Sequence, residues 1–245
     1  MKALILAAGY ATRLYPLTKE FPKPLLVVEK RPIIDYIMDK IDVLDEVDEV
    51  IVVTNSKFFG QFKEWAASRA YKKPISLIDD LTKNNEDRLG AIGDIHFAVN
   101  SRKCKGDLLV VGGDNLFDGN LKDFVRFAKT HTQDPVIGVY NILDIANASK
   151  YGVVELNQGQ QVVDFKEKPQ EPKSSLVAMC LYYFPAAKLG LIQEYLDEKH
   201  DLRDATGFYI DWLHNKVPVY AFTFHGRWYD IGDHKFYSEA SEKFK

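Results

Sequence analysis

Four short, almost wholly apolar runs recur along the first half of the chain: Ala3–Ala7, Val50–Thr54, Ile75–Ile78 and Leu108–Val111. Each is four or five residues long and does not alternate polar with apolar. Such runs suit strands covered on both faces, as in a parallel sheet between two helical layers. Helix-period segments lie between them. Pro32–Leu44 opens on a first-turn proline, and Lys57–Arg69 places apolar residues at 58, 59, 62, 65 and 66. Leu89–Val99 is a third candidate. Asn120 reads as the N-cap of Leu121–Lys129, with Asp123 in its first turn. Strand, helix, strand in this order implies a parallel sheet with right-handed crossovers.

The second half differs. Val136–Tyr140, Gly152–Leu156, Val162–Lys166, Val177–Phe184 and Val217–Phe224 read as strands, with Asn157-Gln158-Gly159 as a turn. Ala187–Glu198 and Ala205–Leu213 read as helices. No linker, repeat or low-complexity segment interrupts the chain. One continuous sheet with an added flap is expected rather than two separable domains.

Composition narrows the partners. Lys plus Arg is 32 and Asp plus Glu is 35, a net charge of -3, without the basic excess of a nucleic-acid or anionic-membrane binder. Hydrophobic residues at 46% and charged residues at 27% are ordinary for a packed globular chain. Cys104 and Cys180 form no CxxC or Cys/His cluster, so two reduced buried thiols and a cytoplasmic location are expected. No 18-residue apolar span occurs, and the polar, proline-rich stretch after Ala8 argues against a signal peptide. The six histidines have no metal-ligand spacing.

The segment Leu6-Ala-Ala-Gly-Tyr-Ala-Thr-Arg-Leu-Tyr-Pro-Leu-Thr-Lys-Glu-Phe-Pro-Lys-Pro-Leu-Leu26 follows the first buried strand directly. Ligands of open α/β sheets bind beyond the carboxyl ends of strands. Small residues at 7–9 permit close approach, Arg13, Lys19 and Lys23 add charge, and three prolines stiffen the loop. On residue types alone a solvated surface loop fits too. The P-loop motif is absent, as is Gly-x-Gly-x-x-Gly after the first strand. Asp114 stands just past a buried strand, where a carboxylate suits a hard divalent cation and equally suits a turn or cap. Glu167-Lys168 could be an exposed ion pair.

Taken together, Leu6–Leu14, Pro22-Lys-Pro-Leu25, Leu89-Gly-Ala-Ile-Gly-Asp94, Val110-Val-Gly-Gly-Asp-Asn115, Tyr151-Gly-Val-Val154, Phe165-Lys-Glu-Lys-Pro169 and Trp228-Tyr-Asp-Ile-Gly-Asp233 resemble the sugar-1-phosphate nucleotidylyltransferases. The chain departs from that pattern twice. Ala11 replaces a glycine, tolerable if its φ is negative, and Asp233 replaces a threonine.

The resemblance implies a Rossmann-like three-layer α/β/α fold with a mixed, mainly parallel sheet, in one domain over residues 1–245. Residues 1–130 would form the nucleotide-binding half and 131–245 the sugar-phosphate-binding half. Arg13, Lys23 and Lys168 would be catalytic. Leu6, Ala8, Gly9, Thr12, Leu89 and Gly90 would hold the nucleotide, and Gly152, Glu167 and Lys168 the sugar phosphate. Asp114 and Asp230 would hold Mg²⁺. The implied reaction joins an NTP, dTTP or UTP, to a sugar 1-phosphate such as glucose 1-phosphate. A cytidylyltransferase for phosphocholine or a phosphonate, or a non-catalytic nucleotide-sugar sensor, are the alternatives. A homo-oligomer is compatible with the pattern. No hexapeptide repeat follows Asp233, so a second activity is not expected.

Overall fold

The computed structural model describes residues 1–244, except the side chain of His200. The strands are β1 (Lys2–Leu6), β2 (Val27–Val28), β3 (Arg31–Pro32), β4 (Glu49–Thr54), β5 (Ile75–Asp79), β6 (Leu108–Gly112) and β7 (Asn115–Phe117). They continue with β8 (Val136–Asn141), β9 (Gly152–Leu156), β10 (Val162–Glu167), β11 (Leu176–Phe184), β12 (Tyr220–Phe224) and β13 (Trp228–Asp230). The helices are α1 (Ile33–Asp42), α2 (Phe59–Ala67), α3 (Ala91–Ser101), α4 (Leu121–Thr130), α5 (Gly190–Glu198), α6 (Thr206–His214) and α7 (His234–Lys243).

A nine-stranded mixed sheet forms the middle layer. β6, β1, β4 and β5 run parallel, and β11 joins β6 antiparallel. β1 explains why the apolar runs do not alternate. Ala3 and Ile5 pack with α1, α2 and α4 on one face, and Leu4 packs with α3, α5 and α6 on the other. All three are fully buried, the three-layer arrangement expected from doubly covered strands. β11 bulges between Ala178 and Tyr182, and Cys180 there has φ 52°. β8 pairs with β11 on both sides of the bulge, while β9 pairs at its start and β6 at its end, which carries the sheet into the second half. No described helix is long and apolar enough to cross a membrane.

Two small elements position the chemistry. β7 and β13 pair antiparallel, with Asp230 opposite Asn115. The Ile231 amide extends the ladder to the Asp114 carbonyl at 3.4 Å. Leu14, Leu26, Val28, Ile33, Leu116, Ile231, Ala240 and Phe244 form a separate apolar cluster beneath this ribbon. That cluster joins the N-terminal loop, both strands and α7. Asp233, the residue in the threonine position, caps α7 by accepting the Phe236 amide at 3.0 Å.

Cys104 and Cys180 are partly exposed as residues, and neither is disulfide-bonded. Asn120 caps α4 as expected, accepting the Lys122 amide at 2.9 Å.

Ile231 is fully buried beside Asp230. Ile231→Ala should therefore cost about 2–5 kcal/mol in urea unfolding. A loss below about 1 kcal/mol would show that this cluster does not anchor the ribbon.

Candidate active site

The loop after β1 is held from below. The buried Asn55 side chain donates to the Ala8 carbonyl at 2.8 Å and accepts the Phe58 amide at 3.0 Å. Thr18 Oγ1 donates to the Ala11 carbonyl at 2.7 Å. Leu14 plugs into the apolar cluster beneath the ribbon. Ala11 has φ 48° and ψ 43°. The condition under which an alanine would sit here without cost, a negative φ, is therefore not met. The backbone keeps the left-handed shape that a glycine takes freely, and an alanine meets a steric cost there.

A cleft of about 470 Å³ opens at the carboxyl ends of β1 and β6. Leu6, Ala8, Gly9, Thr12, Arg13, Lys23, Gly90 and Asp114 all line it. Leu89 does not: its Cβ lies 2.9 Å from the point where a side chain on Gly93 would begin. Helix α3 starts at Ala91, after Gly90 at φ 78°, so Leu89 stands outside it and packs on the first turn. Gly90 admits nothing larger, because a Cβ there would fall 2.6 Å from the Arg203 carbonyl oxygen. Gly9 is the opposite case, with open space around its would-be Cβ. Its smallness serves whatever enters the cleft rather than the fold.

Asp114 and Asp230 converge at the mouth, though 116 residues separate them in sequence. The Lys23 ammonium pairs with Asp114 Oδ2 and donates to the Ile231 carbonyl at 3.0 Å. Burial, and next the Asp114 charge, push the Asp230 carboxyl up to about 6, while Lys23, Arg13 and Lys168 pull it back. Asp230 Oδ2 and the Arg13 guanidinium flank Gly232, 3.8 and 3.9 Å from its would-be Cβ. The Cys180 thiol, pushed up to about 12 by burial and then by Asp114, lines the same cleft.

Glu167 and Lys168 follow at the end of β10. Glu167 is buried, with its carboxyl raised by burial and pulled back by Lys168, whose ammonium is 3.4 Å away. Lys168 has φ 48°, and its amide donates to the Tyr151 carbonyl at 3.0 Å. Gly207, in the first turn of α6, makes room for Glu167: a Cβ there would lie 1.8 Å from Oε2. Gly152 supports Glu167 in a similar way, with Phe165 Cζ 2.4 Å and Glu167 Oε2 3.1 Å from its would-be Cβ. Its position is beneath the site rather than on its surface.

Residue types alone did not single out Asn55, Asn115, Gly207 or Tyr151. Asn115 is buried, donates to the Met179 carbonyl at 2.6 Å and accepts Trp228 Nε1 at 2.9 Å, which ties the ribbon to β11. Its only signal was its place beside Asp114. Tyr151, pushed up to about 12 by burial and then by Asp230, lies within reach of the Asp230 and Arg13 charges.

The donor set fits a hard divalent ion. Two carboxylates meet, one of them raised by burial and by the other's charge, and no cluster of three or more Asp, Glu, His or Cys among the described residues could enclose a metal alone. Mg²⁺ is commonly held by one or two carboxylates completed by water and substrate phosphate oxygens.

The nucleotidyl transferase family model matches residues 2–245. The chain belongs to this family. It is 30% identical over 240 residues to a bifunctional protein GlmU from Methanococcus aeolicus, covering 95% of this chain and 51% of that protein. It is 27% identical over 246 residues to a glucose-1-phosphate thymidylyltransferase from Neisseria meningitidis, covering 98% and 81%. The chain thus spans about half the length of the GlmU proteins it matches. A solved UDP-glucose pyrophosphorylase with UDP-glucose superposes with a TM-score of 0.83 at 21% identity, over 99% of this chain and 97% of that one, and shows the shared Rossmann-like fold.

Two substitutions test the loop geometry. Ala11→Gly should stabilise the protein by about 0.5–1 kcal/mol in urea unfolding, because the left-handed penalty of about 1–2 kcal/mol exceeds the entropy a glycine adds to the unfolded chain. Gly9→Val should leave stability within about 0.5 kcal/mol and raise KM for the nucleotide. A stability loss without a KM change would place Gly9 in the fold instead.

Proposed function

We propose that the chain transfers a nucleotidyl group from an NTP to a sugar 1-phosphate such as glucose 1-phosphate, releasing pyrophosphate and a nucleotide sugar. The carrying observation is the convergence of Arg13, Lys23, Asp114 and Asp230 at one cleft mouth, beside a small-residue loop. Family membership and the name of the Neisseria relative support it.

The chemistry asks for position and charge rather than proton transfer. A phosphate monoester has a second pKa near about 6, so at neutral pH the acceptor is largely dianionic and needs no general base. Its oxygen attacks the α-phosphorus in line, and the bond to the pyrophosphate oxygen breaks. An anion approaching a polyanion is the main barrier, so placed positive charge is the main remedy. Arg13, exposed at the cleft, is placed to neutralise the departing pyrophosphate. Lys23, fixed by Asp114 and the Ile231 carbonyl, is placed to hold the α-phosphoryl group. Lys168, its side chain 57% exposed, is free to reach the acceptor phosphate, and Glu167 offers oxygens to sugar hydroxyls. Asp114 and Asp230 would hold Mg²⁺, which when bound supplies further charge neutralisation to the phosphates.

The resemblance implies dTTP or UTP as donor, and the thymidylyltransferase name of the Neisseria relative supports dTTP. The acceptor rests on the same footing, so phosphocholine and a phosphonate belong in the acceptor panel.

Pyrophosphate release from NTP mixtures, with and without glucose 1-phosphate, tests the reading. Arg13→Ala should lower kcat by about 3–4 kcal/mol in barrier terms. Asp114→Asn should abolish turnover at any Mg²⁺ concentration. Release that is independent of every acceptor, or undiminished in Asp114→Asn, would overturn the proposal.

A further inference from the structure

The cleft carries a second charged pair that the reaction does not use. Arg88 and Asp204 both line it, with side chains 39% and 58% exposed. Arg88 Nε donates to Asp204 Oδ1 at 2.7 Å and Nη2 donates to Oδ2 at 2.8 Å. Arg88 Nη1 donates to the carbonyl of Asn85, another lining residue, at 2.6 Å. The backbone behind the pair is tied down as well. The Asp204 carbonyl accepts the Ala91 amide at 3.2 Å, and the Arg203 carbonyl accepts the Ile92 amide at 3.1 Å. These two amides at the start of α3 are therefore not offered to a phosphate.

An ion pair on an open surface contributes little. This one differs in where it stands and in what it leaves unused. The cleft runs along the carboxyl ends of the sheet, in the order β6, β1, β4, β5. Asp114 leaves β6, and residues 80–90 leave β5. Three strand spacings separate those exits, roughly 14 Å. With the phosphates at the Asp114 end, the base points toward the other end, where Asn85, Arg88 and Gly90 lie. An arginine has five N–H donors, and a carboxylate has about four lone-pair sites. Three of the donors and two of the sites are spent among the described residues. Two N–H groups and about two lone-pair sites remain on adjacent, exposed groups. Hydrogen bonds from Arg88 hold the Asp204 carboxyl below its ordinary range, so it stays an acceptor at neutral pH. Three bonds fix the guanidinium plane, so little rotamer freedom is left to lose when a ligand meets it.

We propose that the Arg88–Asp204 pair reads the base of the nucleotide and selects one with a ring carbonyl beside a ring N–H, as in uracil, thymine, guanine or hypoxanthine, over cytosine and adenine. Arg88 donates to the carbonyl oxygen, and Asp204 accepts the ring N–H. Cytosine and adenine carry an amino group beside a bare ring nitrogen at that edge, which sets donor against donor and acceptor against acceptor. The inference rests on the nucleotidyl-transfer reading and deepens it, by giving named side chains to the choice of base.

The test compares kcat/KM for UTP against CTP, and for ITP against ATP, at fixed glucose 1-phosphate. The members of each pair differ only at that edge. UTP should exceed CTP by about tenfold or more, and ITP should exceed ATP. Arg88→Met removes the donors, and Asp204→Asn puts a donor amide in place of an acceptor oxygen. Each should bring the UTP-to-CTP ratio below about threefold by raising KM for UTP, with KM for glucose 1-phosphate unchanged. A thermal melt of each variant checks folding. A native UTP-to-CTP ratio short of about tenfold overturns the inference whether or not the variants fold. So does a ratio that stays at the native level in either folded variant. A raised KM for glucose 1-phosphate with the base ratio intact also overturns it, because the pair then serves the sugar. If no NTP turns over, the nucleotidyl-transfer reading fails instead. Calorimetric titration of UTP and CTP, native against Arg88→Met, then decides the base preference by itself.

Discussion

Two like charges close together push each other apart, and the mouth of this cleft depends on that being overcome. Asp114 and Asp230 are held in one place by covalent continuity with β7 and β13, by the Ile231-to-Asp114 backbone bond, and by Lys23. Lys23 comes from the N-terminal loop and binds both the Asp114 carboxylate and the Ile231 carbonyl. One ammonium therefore ties three distant stretches of chain together. The apolar cluster of Leu14, Leu116 and Ile231 does the same beneath them without charge. Burial first, and the Asp114 charge second, still hold the Asp230 carboxyl up, and a divalent ion with phosphate oxygens is the kind of partner that would relieve both.

The rest of the cleft follows from small residues where chain meets chain. Gly113 lets β6 end against β1: a Cβ there would lie 2.5 Å from the Leu6 carbonyl oxygen. Gly90 lets α3 begin against Arg203, and Gly207 lets α6 begin against Glu167. The Gly90–Arg203 contact joins the first half of the chain to the second, and the other two fix elements within each half. Gly9, free of such contacts, leaves its space to a ligand. Interfaces of this kind are sensitive to single methyl groups, because protein interiors pack without spare volume.

Much of this could be read from the chain. β1, β4 and β6 declare themselves because residues covered on both faces are apolar throughout, and Asn120 declares α4 through its cap. The loop's role came from a dense match of residue types, and the Asp114–Asp230 pair from the same match. Local pattern could not supply that pair: β7 and β13 have three residues each and pair across more than a hundred positions. Helix α7 was missed because His234–Lys243 is polar, with only Ala240 fully buried. The left-handed conformation of Ala11 is not legible in the chain, because the Thr18 hydroxyl on its carbonyl and the seat of Leu14 in the apolar cluster are tertiary contacts. Leu89 was placed on α3 because its apolar character fits the helical period, whereas Gly90 at φ 78° starts the helix two residues later.

The most direct test of the central claim is a crystal structure with Mn²⁺ and a nucleotide, using anomalous scattering to place the ion. The account predicts one ion bound by an oxygen from each of Asp114 and Asp230, at about 2 Å, and by a phosphate oxygen. An ion that binds the phosphates while both carboxylates stay out of its coordination sphere would contradict it.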